Sequence, residues 1–367
     1  MNLALLIGHF PPGAFGGAEI QAEAWAERLA TNHRVTVLTR RDPESQPERE
    51  VRAGFTVERL PVSRVPGWRT FADLAAIERA VAALSPRPDL LLCFQTFISG
   101  LGGTRAGARL GIPAVVWIRG EIEYRLADSR FYRLLSPRVW AAAAGLLVQS
   151  AANREVLLAE LERAAPRLVD GVRAKLDVVE NGITLPAPIP ATTAGPVLSV
   201  GRLIADKGMD LVIEACAASG RALVIAGEGP ERDALAALAA ARHADVRFEG
   251  FVDRARLDQL YREASVVVLA ARRGEGLPNV VLEGLAHGRP VLATACAGTP
   301  DLLSHDVNGW IVPVGESAPL AAALRRLAAE PATAGRLALA GRATAERFEW
   351  SRIQPRLEAA LERRRRA

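Results

Sequence analysis

Short apolar runs alternate with longer amphipathic Ala/Leu/Arg segments along almost the whole chain. A strand followed by ten or more helical residues cannot fold back through a tight hairpin. The next strand therefore lies parallel to it, and the helices cover the sheet faces. The pattern predicts strands over 3–7, 35–38, 55–60, 90–94, 114–118 and 146–148, then 178–179, 197–200, 222–226, 246–249, 265–269, 291–293 and 310–312. Helical segments over 18–30, 72–84 and 232–241 are among those that separate them, and only helices follow Pro319. The run from Pro186 to Pro196, rich in Pro and Thr, interrupts the rhythm and reads as a linker between two similar α/β halves. Open parallel sheets bind ligands outside the carboxyl ends of their strands, so the loops after the strands are the places to search.

The 367 residues are half hydrophobic, enough for more than one core. The net charge of +5 is spread evenly over both halves, which excludes a nucleic-acid arm. The one local basic run is Arg363–Arg366 at the C-terminal end. Cys93, Cys216 and Cys296 are widely spaced within apolar runs and read as reduced core thiols of a cytoplasmic protein. The apolar start, Asn2 to Gly8, has no basic leader and reads as a strand. No apolar run is long enough to span a bilayer. Arginine outnumbers lysine 44 to 2, so the surviving Lys175 and Lys207 stand out.

The densest motif is Gly274-Glu275-Gly276-Leu277-Pro278-Asn279, continuing through Glu283 to Gly284. Pro278 suits the first turn of a helix. Free N–H groups and the positive end of the helix dipole form an anion site there, and two glutamates can accept hydrogen bonds from hydroxyls. A sugar nucleotide carries both kinds of group; the alternative is an ordinary solvated helix start. A strand ends at Gly201, and Arg202 and Lys207 follow in one loop, a planar fork and a point charge that both suit phosphate oxygens, or else a solvated surface loop. Gly16-Gly17-Ala18-Glu19 follows the first strand and lets the backbone at Gly17 approach a ligand, or is a plain strand-to-helix turn. Its spacing is not that of the dinucleotide fingerprint. Gly227-Glu228-Gly229-Pro230 is a turn after another strand, and Glu249-Gly250-Phe251 offers backbone groups to a base. Asn181-Gly182 reads as a turn before the linker. There is no Asp-x-Asp and no histidine pair with metal-ligand spacing, so no metal is indicated.

Taken in order, Gly16–Glu19, Val200-Gly201-Arg202 with Lys207-Gly208, Gly227–Pro230, Glu275 to Glu283, Gly288-Arg289-Pro290-Val291 and Asn308-Gly309 resemble retaining glycosyltransferases of family 4 over nearly the whole chain. The resemblance implies the α/β GT-B fold, two Rossmann-like doubly wound parallel-sheet domains facing a cleft. Residues 1–185 would bind the acceptor and 186–348 the nucleotide sugar, with 349–367 a helix packing back on the first domain. Arg202 and Lys207 would hold the diphosphate, with backbone donors from Leu277 and Asn279. Glu283 would hold the ribose, and Glu275 would contact the transferred sugar. The implied activity is a hexosyltransferase, retaining and metal-independent. It would need no cofactor beyond a nucleotide-diphosphate sugar of the UDP or GDP type, and its acceptor would be a glycan or a lipid-linked molecule in envelope or exopolysaccharide synthesis. A sugar-nucleotide 2-epimerase of the same fold and a non-catalytic sugar-nucleotide-binding partner are the alternatives. Relatives often carry a histidine after the fifth strand of the first domain; here Arg119 stands in Trp117-Ile118-Arg119-Gly120, suited to a phosphate or an acidic acceptor and unable to act as a base. The expected location is cytoplasmic and peripheral at the inner membrane face, through Arg363–Arg366 on an anionic surface.

Overall fold

The computed structural model describes residues 1–12, 16–62, 69–120, 123, 126, 129–190, 194–273, 276–296 and 298–366. The chain forms two compact units, Met1–Glu180 with Ile353–Ala367, and Asn181–Arg352.

The first unit carries an eight-stranded sheet. Its strands are β1 (Asn2–Leu6), β2 (Arg34–Arg40), β3 (Arg49–Arg52), β4 (Phe55–Leu60), β5 (Leu90–Phe94), β6 (Ala114–Trp117), β7 (Gly145–Val148) and β8 (Leu176–Val178), in the order β3-β4-β2-β1-β5-β6-β7-β8. Every neighbouring pair is parallel except β3 with β4. All five residues of β5 are buried, as a parallel strand covered on both faces requires. The order reverses between β1 and β5, which makes their carboxyl ends the switch point of this sheet.

β3 is absent from the sequence expectation. Its residues, Arg49-Glu50-Val51-Arg52, alternate charge with little apolar content. They form the outer strand of a hairpin whose turn, Ala53-Gly54, has φ of 37° and 86°. Both turn residues are left-handed, which suits a two-residue hairpin. A charged outer strand also protects a sheet edge. It pairs with β4 along its length, and Arg59 and Arg52 add ion pairs with Glu50, which no apolar pattern reports.

The second unit carries β9 (Val197–Val200), β10 (Leu223–Ala226), β11 (Val246–Gly250), β12 (Val266–Leu269), β13 (Val291–Thr294) and β14 (Trp310–Val312). Their order, β11-β10-β9-β12-β13-β14, is wholly parallel and reverses between β9 and β12. Val197, Ile225, Val268 and Leu292 pack with Val212 and Ile213 of the helix Met209–Ser219 in one core.

The last helix, Trp350–Arg366, ends in the four arginines. Within the first unit Arg363 and Arg364 both reach Asp177, each at 2.9 Å. Arg365 and Arg366 both reach Glu362, each at 2.7 Å. The run expected to face an anionic surface is thus engaged by two carboxylates of its own chain. Lys175 also has a structural task. Its Nζ donates to the carbonyls of Ala141 and Ala143 at 2.6 Å, satisfying the end of the helix Arg130–Ala142.

Candidate functional site

The switch point of the second sheet collects most of the residues singled out above. β9 runs directly into Gly201, whose φ is 153°. A Cβ on Gly227, at the end of β10, would collide with the Gly201 carbonyl. The two strand ends therefore meet only because Gly227 has no side chain, while the positive φ of Gly201 itself favours glycine. Arg202 is exposed, Leu203 is fully buried and Lys207 is half-buried. Leu203 anchors the loop between the two cations. Its N–H donates to the Glu228 carbonyl at 2.8 Å, and its carbonyl accepts from Glu231 at 3.0 Å. A Cβ on Gly201 would lie 4.0 Å from Cδ of Lys207, so the lysine side chain runs back over the end of β9. Gly208, at φ 64°, opens the helix Met209–Ser219 where a side chain would strike the Ala270 carbonyl after β12.

The loop after β12 grips this cation loop. Arg272 N–H donates to the Asp206 carbonyl at 2.8 Å, and its guanidinium forks onto Asp210 at 2.7 and 2.5 Å. Arg273 reaches Asp206 at 3.4 Å. Desolvation raises the Asp210 pKa, but the hydrogen bonds and charge of Arg272 outweigh it and hold the carboxyl below its ordinary value. Such a bidentate pair fixes geometry as well as adding energy. Sequence reasoning passed over Arg272, one of many arginines.

Two residues further on, Gly274 and Glu275 lie outside the described residues. Leu277 is buried, and Pro278 has an extended backbone with ψ 109°. Pro278 therefore precedes the helix instead of occupying its first turn, and Asn279–Ala286 is helical. Asn181, 1% exposed, donates to the Leu277 carbonyl at 3.1 Å and to Oδ1 of Asn279 at 2.6 Å. The Asn181-Gly182 turn thus holds the entry of this helix.

Glu283 projects from the same helix and accepts from the Tyr261 hydroxyl at 2.6 Å. Tyr261 is 1% exposed and stacks on His287 with ring centroids 4.7 Å apart. His287 bonds Asp258 at 2.9 Å and the Glu283 carbonyl at 2.7 Å. Burial pushes the Glu283 carboxyl above its ordinary pKa, while the Tyr261 hydroxyl and the charge of Arg254 draw it back. Burial and the neighbouring carboxylate hold the Tyr261 phenol well above its usual value, so it stays a neutral donor. On the other flank, the N–H of the exposed Phe251 faces Glu228 Oε1 at 3.4 Å. The strand-end loops of this sheet carry Arg202, Lys207, Phe251 and Leu277, with Asn279 and Glu283 on the helix that follows the last of them.

Two further residues, Gly17 and Arg119, belong to the first unit. Gly17 begins the helix Gly17–Leu29, and the Glu19 carboxylate folds back over Gly16, where a Cβ would collide with it. Arg119 follows β6 and is 7% exposed, with its guanidinium 4.7 Å from the Trp117 ring and 5.7 Å from the Phe94 ring. Burial draws its pKa down to about 9, against the charges of Glu123 and Glu19, so it remains a cation at neutral pH. Glu123, which sequence reasoning missed, accepts from the N–H groups of Thr96 at 2.5 Å, Arg119 at 2.8 Å and Gly120 at 3.1 Å. It joins the loops after β5 and β6. Among the described residues no group of three or more His, Cys, Asp or Glu could hold a metal, and no helix is long and apolar enough to cross a membrane.

Two family models cover the chain in succession, a glycosyl transferase 4-like domain over residues 16–182 and glycosyl transferases group 1 over 195–330. An uncharacterized glycosyltransferase of Methanocaldococcus jannaschii is 38% identical over 345 residues, 85% of each chain. The chain belongs to the group 1 glycosyltransferases. The amylovoran biosynthesis glycosyltransferase AmsK of Erwinia amylovora is 33% identical over 162 residues, 41% of this chain and 40% of that protein. Anabaena HepE, solved in complex with UDP and glucose, superposes with a TM-score of 0.80 at 19% identity, covering 99% of both chains. That likeness establishes the GT-B type of fold, two Rossmann-like parallel-sheet domains.

Proposed function

We propose that this glycosyltransferase is a retaining, metal-independent hexosyltransferase. It moves a sugar from a nucleotide-diphosphate donor, UDP or GDP in type, to a glycan or lipid-linked acceptor in envelope or exopolysaccharide synthesis. The observation that carries the reading is the loop Gly201–Gly208. It presents Arg202 and Lys207 at a switch point and is held there by Arg272 and by the Gly208–Ala270 contact. The ligands named with HepE support the donor class, and a lipopolysaccharide core biosynthesis glycosyltransferase of Rhizobium meliloti, 33% identical over 195 residues, supports the acceptor class.

In this reading the donor diphosphate lies over the loop. As the bond between the sugar C1 and the β-phosphate oxygen breaks, negative charge grows on the leaving diphosphate. Arg202, Lys207 and the positive end of the dipole of the helix Asn279–Ala286 meet that charge as preorganised electrostatics. The acceptor hydroxyl attacks C1 from the face the diphosphate leaves, and the departing phosphate takes the hydroxyl proton. Configuration is kept without an enzyme nucleophile. Glu283 accepts the ribose hydroxyls, Glu275 contacts the transferred sugar, Phe251 offers its backbone to the base, and Leu277 adds to the phosphate donors. Gly17 and Arg119 serve the acceptor, with residues 1–185 as its domain and 186–348 as that of the donor. Work at the inner face of an anionic membrane belongs to the same proposal.

The test is transfer of radiolabelled sugar from UDP- and GDP-sugars to lipid-linked oligosaccharide, with and without EDTA. Label in product of unchanged anomeric configuration, in the presence of EDTA, is the expected result. Sugar-nucleotide isomerisation without acceptor would identify a 2-epimerase instead. Tight nucleotide binding without turnover would identify a non-catalytic partner.

A further inference from the structure

The helix Arg130–Ala142 buries Ser136, Val139 and Trp140 and turns a different face to water. On that face Phe131 is 55% exposed and Leu134 59% exposed. Arg130, Leu134 and Arg138 repeat every four residues along it, and the exposed Arg133 flanks them. Behind Phe131 stands the Phe97 ring, 5.5 Å between centroids, so the aromatic side chain is backed by another and does not hang free. Among the described residues none of these three arginines has a carboxylate partner; Arg138 donates to the Leu134 carbonyl of its own helix at 2.6 Å. The four arginines at the C-terminal end are, by contrast, all paired.

We propose that this face of the helix Arg130–Ala142 docks on an anionic lipid surface, with Phe131 and Leu134 entering the headgroup–acyl boundary and Arg130, Arg133 and Arg138 meeting the headgroups. Apolar side chains set among unpaired cations suit a surface that is anionic outside and apolar beneath. An anionic polymer would neutralise the arginines and leave both apolar side chains in water. A second copy would bring six guanidinia together, and two apolar side chains fall far short of the roughly 800 Å² per partner of a stable protein interface. The docking face rests on the membrane-face part of the reading above and names the residues that would serve it.

The experiment is co-sedimentation of the full chain with vesicles of phosphatidylglycerol and phosphatidylcholine, and with phosphatidylcholine alone. Each basic residue near such a surface changes partitioning about fivefold. Arg130→Gln with Arg133→Gln and Arg138→Gln should therefore cost about 100-fold on the anionic vesicles. Phe131→Ser with Leu134→Ser should also release the protein, while deletion of the last five residues should leave binding close to wild type. Thermal shift by UDP or GDP, followed in parallel, should be the same in every variant. Absence of any nucleotide shift with vesicle binding intact would strike the donor reading and leave the docking face standing. Equal partitioning of wild type and both helix variants overturns the proposal. So does a dimer in sedimentation velocity that the Phe131→Ser/Leu134→Ser variant abolishes.

Discussion

The strand-end loops of the two sheets are held by different physics. In the second unit the strand ends meet glycine against backbone: Gly227 on Gly201 and Gly208 on Ala270. The cations there stand at the surface of a loop whose frame is set from outside by Arg272 and Asp210. In the first unit the loops after β5 and β6 are held by buried charge. One carboxylate, Glu123, accepts three backbone N–H groups, and Arg119 is packed against two aromatic rings. Gln95 and Ile98, neither of them glycine, take φ of 78° and 54° there. Such backbone persists only where its surroundings over-determine it, and it concentrates at functional sites. A frame built on glycine leaves a mark in the sequence, whereas a frame built on one buried carboxylate does not.

The contrast is open to attack, and the largest effect belongs to Glu123. Glu123→Ala leaves the N–H groups of Thr96, Arg119 and Gly120, the first two buried, without their acceptor, which should cost about 3–5 kcal/mol of stability. Urea unfolding followed by tryptophan fluorescence measures it, since Trp25, Trp117 and Trp140 are all in the first unit. A loss below about 0.5 kcal/mol, typical of a surface substitution, would remove the clamp from the account.

Next comes Lys207→Ala. Charge-assisted hydrogen bonds are worth about 1.5–3 kcal/mol, so kcat/KM for the donor should fall about 10- to 150-fold with stability nearly unchanged. Lys207→Arg should restore only part of it, because a planar fork does not replace a point charge. Full activity in either variant would place the loop outside the site.

Tyr261→Phe should have a smaller effect, with a sign fixed by proton linkage. The Tyr261 hydroxyl lowers a Glu283 pKa that burial has raised. Without the hydroxyl that pKa rises further. The ionised carboxylate that the proposed ribose contact requires is then lost at higher pH as the solution is acidified. Nucleotide affinity should fall about fivefold near neutrality, the worth of one ordinary hydrogen bond. Its acid limb, measured by titration calorimetry across pH, should move upward. An unmoved limb would leave Tyr261 as packing for His287.

Asn181→Ala should be the mildest, a loss of about 0.5–1.5 kcal/mol in nucleotide binding as the Leu277–Asn279 turn loosens. It separates entry geometry from charge, because it touches no cation. An increase in affinity would mean that the turn binds better unrestrained.

What the sequence made legible follows the same division. The parallel strands were readable because strands buried on both faces are continuous apolar runs, such as Leu90–Phe94. β3 was not, because a charged edge strand has no apolar pattern to find. Arg202, Lys207 and Glu283 could be singled out as candidates because they stand near glycines or a proline at fixed spacing. Tyr261, Arg272 and Glu123 were not. Their partners Glu283, Asp210 and the N–H groups of Thr96, Arg119 and Gly120 lie 22, 62 and 3 to 27 positions away, distances that only the fold closes.

The central claim is that the switch point between β9 and β12 binds a nucleoside diphosphate through Arg202, Lys207 and Glu283. Calorimetric titration of UDP and GDP into the wild type, the Arg202→Ala/Lys207→Ala protein and Glu283→Gln tests it most directly. The account predicts that one of the two nucleotides binds the wild type. The double variant should lose at least about tenfold from the phosphate side, and Glu283→Gln should lose affinity from the ribose side. Affinities equal to wild type in both variants would contradict it.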